Sequence, residues 1–322
     1  MVLIHNLTRM EEVDAVYEGL RNPDPRMESI GALAALVDYR DGTNLTGLNP
    51  KEEKLIRHIG FSGHHSPPVM MEMIQRDERG ILEGMLVAIN ANDRLQFNMQ
   101  FNVIPVAFAR GLALIGMKTF ADGAMYTKPA GWSSKPEHVV RAVGSPDLPS
   151  RPLIQYSLST PGIETLIVGI GQIAEDGRSC QLEQNLAAAQ VPSPGLSDGD
   201  RRAIEKATAL VKEGKTNYFQ LPKQELAPPR EAAAEQETRA GRRLARLKWQ
   251  TAYAGDEPIL CYEIWRDQKK VGALPYRPQT SKQPFLFEEA ITDESAHVYQ
   301  IKALDAAGRS AATADLPLPN IA

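Results

Sequence analysis

Three histidines, one tyrosine and two cysteines are the residues whose types and positions could do chemistry. His5 closes a short β-branched run, VLIHN (2–6), and stands where a strand would present its imidazole at the C-terminal end. A lone histidine in a strand is equally well read as a satisfied structural group. His64 and His65 follow a second run, LIRHIGFSG (55–63), on what reads as a loop. Adjacent side chains seldom converge on one ion and no acidic ligand is spaced with them, so no metal site is expected there. Tyr126 offers a phenol, but nothing pairs it with a lysine, and packing is the plainer reading. Cys180 and Cys261 fall in different regions and read as two free thiols.

Positioning any of these groups requires a framework, and the chain writes one. GMLVAIN (84–90), LALIGMK (112–118) and TLIVGIG (165–171) continue the series begun by VLIHN and LIRHIGFSG. Runs apolar on both faces suit buried parallel strands. Between and after them the pattern turns helical at 11–20, 67–78, 151–163, 181–190 and 196–213. The last of these opens on a capping Ser197 or Asp198. Strands alternating with helices predict an α/β fold with right-handed crossovers. Two stretches break the rhythm. Residues 38–53 are polar and turn-rich and read as an insertion, and 128–140 reads as a loop covering the strand ends.

The texture changes near Leu221. Residues 222–242 carry prolines and then a charged, alanine-rich run with no apolar face, which predicts a linker. Short alternating segments follow over 243–322 and predict an all-β sandwich. The composition is ordinary for a globular chain, with 43% hydrophobic residues, 24% charged residues and a net charge of −4. That balance gives no reason to expect nucleic acid or anionic lipid as a partner. No apolar run reaches the roughly 20 residues that span a bilayer, and no export signal is visible. The compartment stays open.

Residues 1–221 resemble the second half of an aldo-keto reductase, a (β/α)8 TIM barrel that binds NADPH or NADH. VLIHNL (2–7), IRHIGFSGH (56–64), RPLIQYSLSTPGIETLIVGI (151–170) and QLEQNLAAA (181–189) carry the resemblance in that order. The resemblance implies strands four to eight of a partial barrel, with the site at their C-terminal ends. It makes His5 the catalytic histidine. Ser62 would hold the nicotinamide carboxamide, Met117 would lie under its ring, and Asn185 would read the adenine. Lys118, Gly169 and Gly171 fall on the loops that hold the pyrophosphate. Gln181 stands in place of a common arginine, Gln184 shares its helix, and Arg178 is a candidate basic contact for a 2′-phosphate. The implied substrate is a small-molecule carbonyl compound.

One departure decides the expected activity. The family's aspartate, tyrosine and lysine precede its fourth strand, and of its catalytic groups only His5 has a counterpart here. The chain is therefore expected to be a fragment of an oxidoreductase without its proton donor. The alternative is a non-catalytic remnant that binds a dinucleotide or a partner. Residues 243–322 resemble a fibronectin type III domain, of the immunoglobulin-like class, with Trp249 and Tyr299 in its core positions. Such a module implies a spacer or docking role, with protein or carbohydrate as its contact and Trp265 as the aromatic to consider.

Overall fold

The computed structural model describes residues 1–140, 143–191 and 195–320. They form two compact units, Met1–Pro222 and Lys223–Ala322.

The first unit is built on a five-stranded parallel sheet in the order β1-β2-β3-β4-β5. Its strands are β1 (Val2–Ile4), β2 (Ile59–Gly63), β3 (Leu82–Ala88), β4 (Ala113–Met117) and β5 (Thr165–Leu166). Val2 pairs with Ile59 and Ile4 with Phe61, so β1 lies parallel to β2 as neighbour. Gly60 and Gly84 face one another in register, and a Cβ on Gly60 would lie 2.5 Å from the Gly84 carbonyl oxygen. Only glycine lets the two strands approach that closely. β2 is buried along its whole length, its one polar residue, Ser62, included. The strand predicted over 165–171 stops at Leu166, and Ile167 and Ile170 are more than half exposed. Among the described residues no strand lies beyond it, so the β5 edge has nothing to pair with.

Seven helices pack around the sheet among the described residues: α1 (Met10–Tyr17), α2 (Ala32–Asp41), α3 (Pro67–Gln75), α4 (Val103–Ala109), α5 (Ser150–Leu158), α6 (Gln181–Ala188) and α7 (Asp198–Ala209). Val13 and Val16 of α1 are buried, the spacing of an amphipathic face. Ser197 caps α7 by accepting from the Asp200 N–H at 3.1 Å. The stretch predicted as an insertion over 38–53 begins inside α2. Asp38, 1% exposed, organises the turns after that helix. Its carboxylate accepts from the Thr43 and Thr46 hydroxyls and from the Leu45 and Thr46 N–H groups. Among the described residues no helix is long and apolar enough to cross a membrane.

The second unit holds two antiparallel sheets. One runs β10-β7-β6 and the other β12-β11-β8-β9, with β13 paired to β11. The strands are β6 (Arg230–Arg239), β7 (Arg242–Gln250), β8 (Ile259–Arg266), β9 (Lys269–Pro275), β10 (Phe285–Ile291), β11 (His297–Asp305), β12 (Ser310–Ala312) and β13 (Leu316–Leu318). Trp249 is wholly buried and stacks on Phe285 at 5.7 Å, with Tyr262 5.0 Å from the same phenylalanine. Tyr299, also wholly buried, donates its hydroxyl to Glu289 at 2.8 Å.

The expected linker over 222–242 is corrected here, because ten of its residues form β6. The charged, alanine-rich run suits an edge strand. Ala232 and Ala234 are half-buried in alternation with exposed neighbours. Glu235 meets Lys248 across the ladder at 2.7 Å, and Glu237 meets Arg246 at 3.6 Å. Charges on an edge strand also discourage pairing with another chain.

Candidate functional site

Because the five strands are parallel, their C-terminal ends share one edge, and the chemistry-bearing residues gather there. β1 leads into His5 and Asn6, β2 into His64, β4 into Lys118, and β5 into Ile167–Gly169. Asn6 and Lys118 take left-handed backbone angles, φ 53° and 63°, uncommon for side chains with a Cβ. Backbone strain of this kind concentrates at functional sites.

Ser62 ties the first two ends together. Its hydroxyl accepts from the Asn6 N–H at 2.9 Å, and its carbonyl accepts from the Leu7 N–H at 3.1 Å. His64 is buried against Trp132 and Phe219, each ring centroid 5.6 Å away and edge-on. Burial, with Lys118 and the two other histidines nearby, pushes its imidazole down to about 4, so it is neutral at pH 7. His65 pairs its Nδ1 with the Phe219 carbonyl oxygen at 3.1 Å. Trp132 comes from the loop predicted to cover the strand ends. It lies against residues following β2 and β4, with the Lys118 ammonium 4.9 Å from its ring centroid.

A charged cluster lies beside this aromatic box. Asp122 accepts from Lys128 Nζ at 2.6 Å and from the Tyr218 hydroxyl at 3.0 Å, with Lys118 Nζ 3.9 Å away. Burial raises the Asp122 carboxyl, but Lys128, Lys118 and Tyr218 outweigh it and hold it below the usual range. Burial and Asp122 together push the Tyr218 phenol up. Burial lowers the Lys118 ammonium, and Lys128 adds to the effect against Asp122. Asp122, Lys128 and Tyr218 were not singled out from the sequence. The signal available was a loop after a strand end that holds an aspartate and a lysine six residues apart. Tyr218, about ninety residues on, carried no local signal.

The cavity at this edge measures about 520 Å³ and lies at the ends of β4 and β5. Met117, Lys118, Gly169, Gly171 and Gln181, all singled out in the sequence, line it together with Thr119, Asp122 and Ser133. Ser62 and His5 do not line it. His5 is exposed at the end of β1. Asn185 lies beneath, donating to the Gly169 carbonyl at 3.1 Å and accepting from Gln181 Nε2 at 2.8 Å. Both atoms of its amide are thus engaged in holding the glycine turn. Gln181 Oε1 accepts from the Val143 N–H at 2.9 Å. Arg178 is exposed, and its carbonyl accepts from Gln184 Nε2 at 2.5 Å. Tyr126 packs on Phe120 at 6.2 Å, and burial raises its phenol. Both cysteines are free thiols, Cys180 buried before α6.

No protein-family model matches this chain, and no curated protein matches it either. Among solved structures, it is similar to the holo form of an aldo-keto reductase from Bacillus halodurans, at 20% identity and a TM-score of 0.33. That match covers 49% of this chain and 52% of the reductase, so the chain spans about half the length of that protein. The central fibronectin-III array of a RIM-binding protein is similar over 32% of this chain and 38% of its own, at 20% identity and a TM-score of 0.23. Scores this low carry no argument for a shared fold or activity. The residues have to carry it.

Proposed function

We propose that residues 1–222 are part of an aldo-keto-reductase-like (β/α)8 barrel and bind NADPH or NADH at the ends of β4 and β5, in the service of carbonyl reduction. The observation that supports this is convergence. Five residues drawn from three separate segments, 117–118, 169–171 and 181, line one cavity. Its chemistry suits a dinucleotide phosphate. Two ammonium groups, Lys118 and Lys128, face a single carboxylate, Asp122, leaving one positive charge uncompensated by side chains of the cluster. Thr119, which lines the cavity, has a buried hydroxyl without a hydrogen-bond partner. A Cβ at Gly169 would meet nothing within 4 Å, so the turn there is open to a ligand.

A bound nicotinamide would supply the hydride. The protein's share is to hold the phosphates with Lys118 and the Gly169–Gly171 backbone, to support the ring from Met117, and to close the strand ends with Trp132. His5 is the group proposed to orient a carbonyl. A second reading, dinucleotide binding without turnover, draws on a specific observation. The phenols of Tyr218 and Tyr126 are both pushed up, the reverse of what a proton donor needs at neutral pH.

Titration of the full chain with NADPH and with NADH, followed by nicotinamide fluorescence, tests the binding. Saturable binding weakened about tenfold or more by Lys118→Gln, a loss of roughly 1.4 kcal/mol or more, is expected. A folded protein that takes up neither cofactor ends the proposal. Turnover of a generic aldehyde then separates the reductase from the silent binder.

A further inference from the structure

We propose that the second unit carries a groove for a neutral saccharide, centred on Trp265. Along β8 the side chains of Tyr262 and Ile264 are buried, so Glu263 and Trp265 point the other way. Along β11 Tyr299 and Ile301 are buried, which turns Val298, Gln300 and Lys302 to the same outer face. Trp265 and Gln300 sit directly opposite one another in the register. A groove of about 530 Å³ opens there, lined by Trp265, Asp267, Gln268, Val298, Gln300 and Asp315. That volume lies within the roughly 300–1,000 Å³ of small-molecule sites.

The lining selects the ligand class. An indole and the half-exposed Val298 offer apolar surface to the C–H face of a pyranose ring. Carboxamide and carboxylate groups side by side donate to and accept from neighbouring hydroxyls. Two aspartates line the groove against one ammonium, Lys302 over the Trp265 ring, so the net charge disfavours phosphates, uronates and nucleic acids. A metal ion is disfavoured because, among the described residues, no third carboxylate, histidine or cysteine joins the two aspartates in a ligand set. Asp267 accepts from the Val298 N–H at 2.9 Å and pairs with His297 Nδ1 at 2.7 Å. Asp315 accepts from Gln300 Nε2 at 2.8 Å.

These same bonds fix the polar groups before any ligand arrives, which lowers the ordering cost of binding. Trp265 is fixed too. Its Nε1 donates to Glu263 at 3.1 Å, and the Lys302 ammonium lies 3.9 Å from its ring centroid. Lys302 is not among the residues lining the groove. A peptide adding as a strand would need an open sheet edge, whereas this groove lies on a face.

The test uses the full chain with cellohexaose, xylohexaose and mannohexaose, by calorimetry and by tryptophan fluorescence. Binding of at least one is expected, lost or weakened about tenfold or more in Trp265→Ala and several-fold in Gln300→Ala and Asp315→Ala. The last two substitute side chains at the surface, so they report on the groove even if Trp265→Ala fails to fold. Three outcomes overturn the proposal. They are no binding of any hexasaccharide at about 10 mM, affinity unchanged in all three variants, and binding abolished by EDTA.

Discussion

The two units differ in what they place at their centres. In the parallel-sheet unit, Lys128, Asp122, Asp93 and His64 are drawn inside or half inside at the ends of the strands, and burial pushes His64 well down and Asp93 well up from their usual ranges. The antiparallel unit buries Arg243, His297 and Asp305 at the ends of its strands, but its centre is aromatic and apolar, and most of its ion pairs, such as Glu235 with Lys248 and Lys270 with Glu263, lie on outer faces. Burying charge is expensive and persists where a network of partners holds it. One unit thus gathers its charged groups at the strand ends, whereas the other is organised around packing and is proposed to bind a neutral ligand.

The sharpest way to break that contrast is to remove packing from the second unit. Trp249→Ala empties the centre of its core and should cost about 4 kcal/mol, read as a large drop in the midpoint of chemical denaturation. A small change would mean that the core is not what holds this unit together.

Removing a partner from the first unit comes next. Asp122→Ala leaves Lys128, whose side chain is 3% exposed, without its carboxylate and should cost about 3 kcal/mol. Pairing it with Lys128→Met should recover much of the loss, since the damage lies in the stranded charge. Failure of that rescue would argue that Asp122 acts through Tyr218 instead.

The third effect is a slope with pH. Asp93 is fully buried and accepts from the Met99 and Gln100 N–H groups and from Gln220 Nε2 at 2.7 Å. Burial nevertheless pushes its carboxyl up to about 6. The unfolded chain releases the same proton near about 3.9. Between these values the native state binds more protons, so this group's contribution is fullest below the lower one and is lost as pH rises through the upper one. Acidification from pH 7 to 5 therefore gains stability at Asp93 while the buried neutral His64 loses it, so Asp93→Asn should make stability fall more steeply over that range than in the unaltered protein. A slope unchanged in the variant would assign it to other groups.

The smallest effect is expected on the outer face of the sandwich. Glu235→Ala removes an exposed cross-strand ion pair and should leave the unfolding midpoint without a resolvable change. A clear loss would mean that the β6 edge depends on its charges, and would blur the contrast between the units.

Much of the framework was legible in the residues. The β-branched runs marked the five parallel strands, although only β2 and β3 are largely buried and β1 and β5 lie partly exposed at the sheet edges, and Ser197 marked the start of α7. The alternating segments after residue 243 marked β7 to β11. Two helices escaped. α2 ends in a polar tract whose order comes from one carboxylate, Asp38, and that pattern looks like loop when read in sequence. α4 is a short apolar segment with a proline inside it, and periodicity cannot assign such a run. β6 was misread because its alanines and charges favour a helix in isolation, and only the ladder with β7 holds them extended.

The candidate site divides along the same line. Lys118, Gly169 and Gln181 were marked by their positions at strand and helix ends, which local pattern determines. That they line one cavity, that Asp122 gathers Lys128 and Tyr218, and that Asn185 is engaged beneath the glycine turn depend on which strands lie side by side. The sequence alone determined the five parallel strands and five of the seven helices, because hydrophobic period and capping are local properties. The tertiary structure decided which groups meet and how each is charged, because burial and proximity join residues that the chain keeps about ninety positions apart.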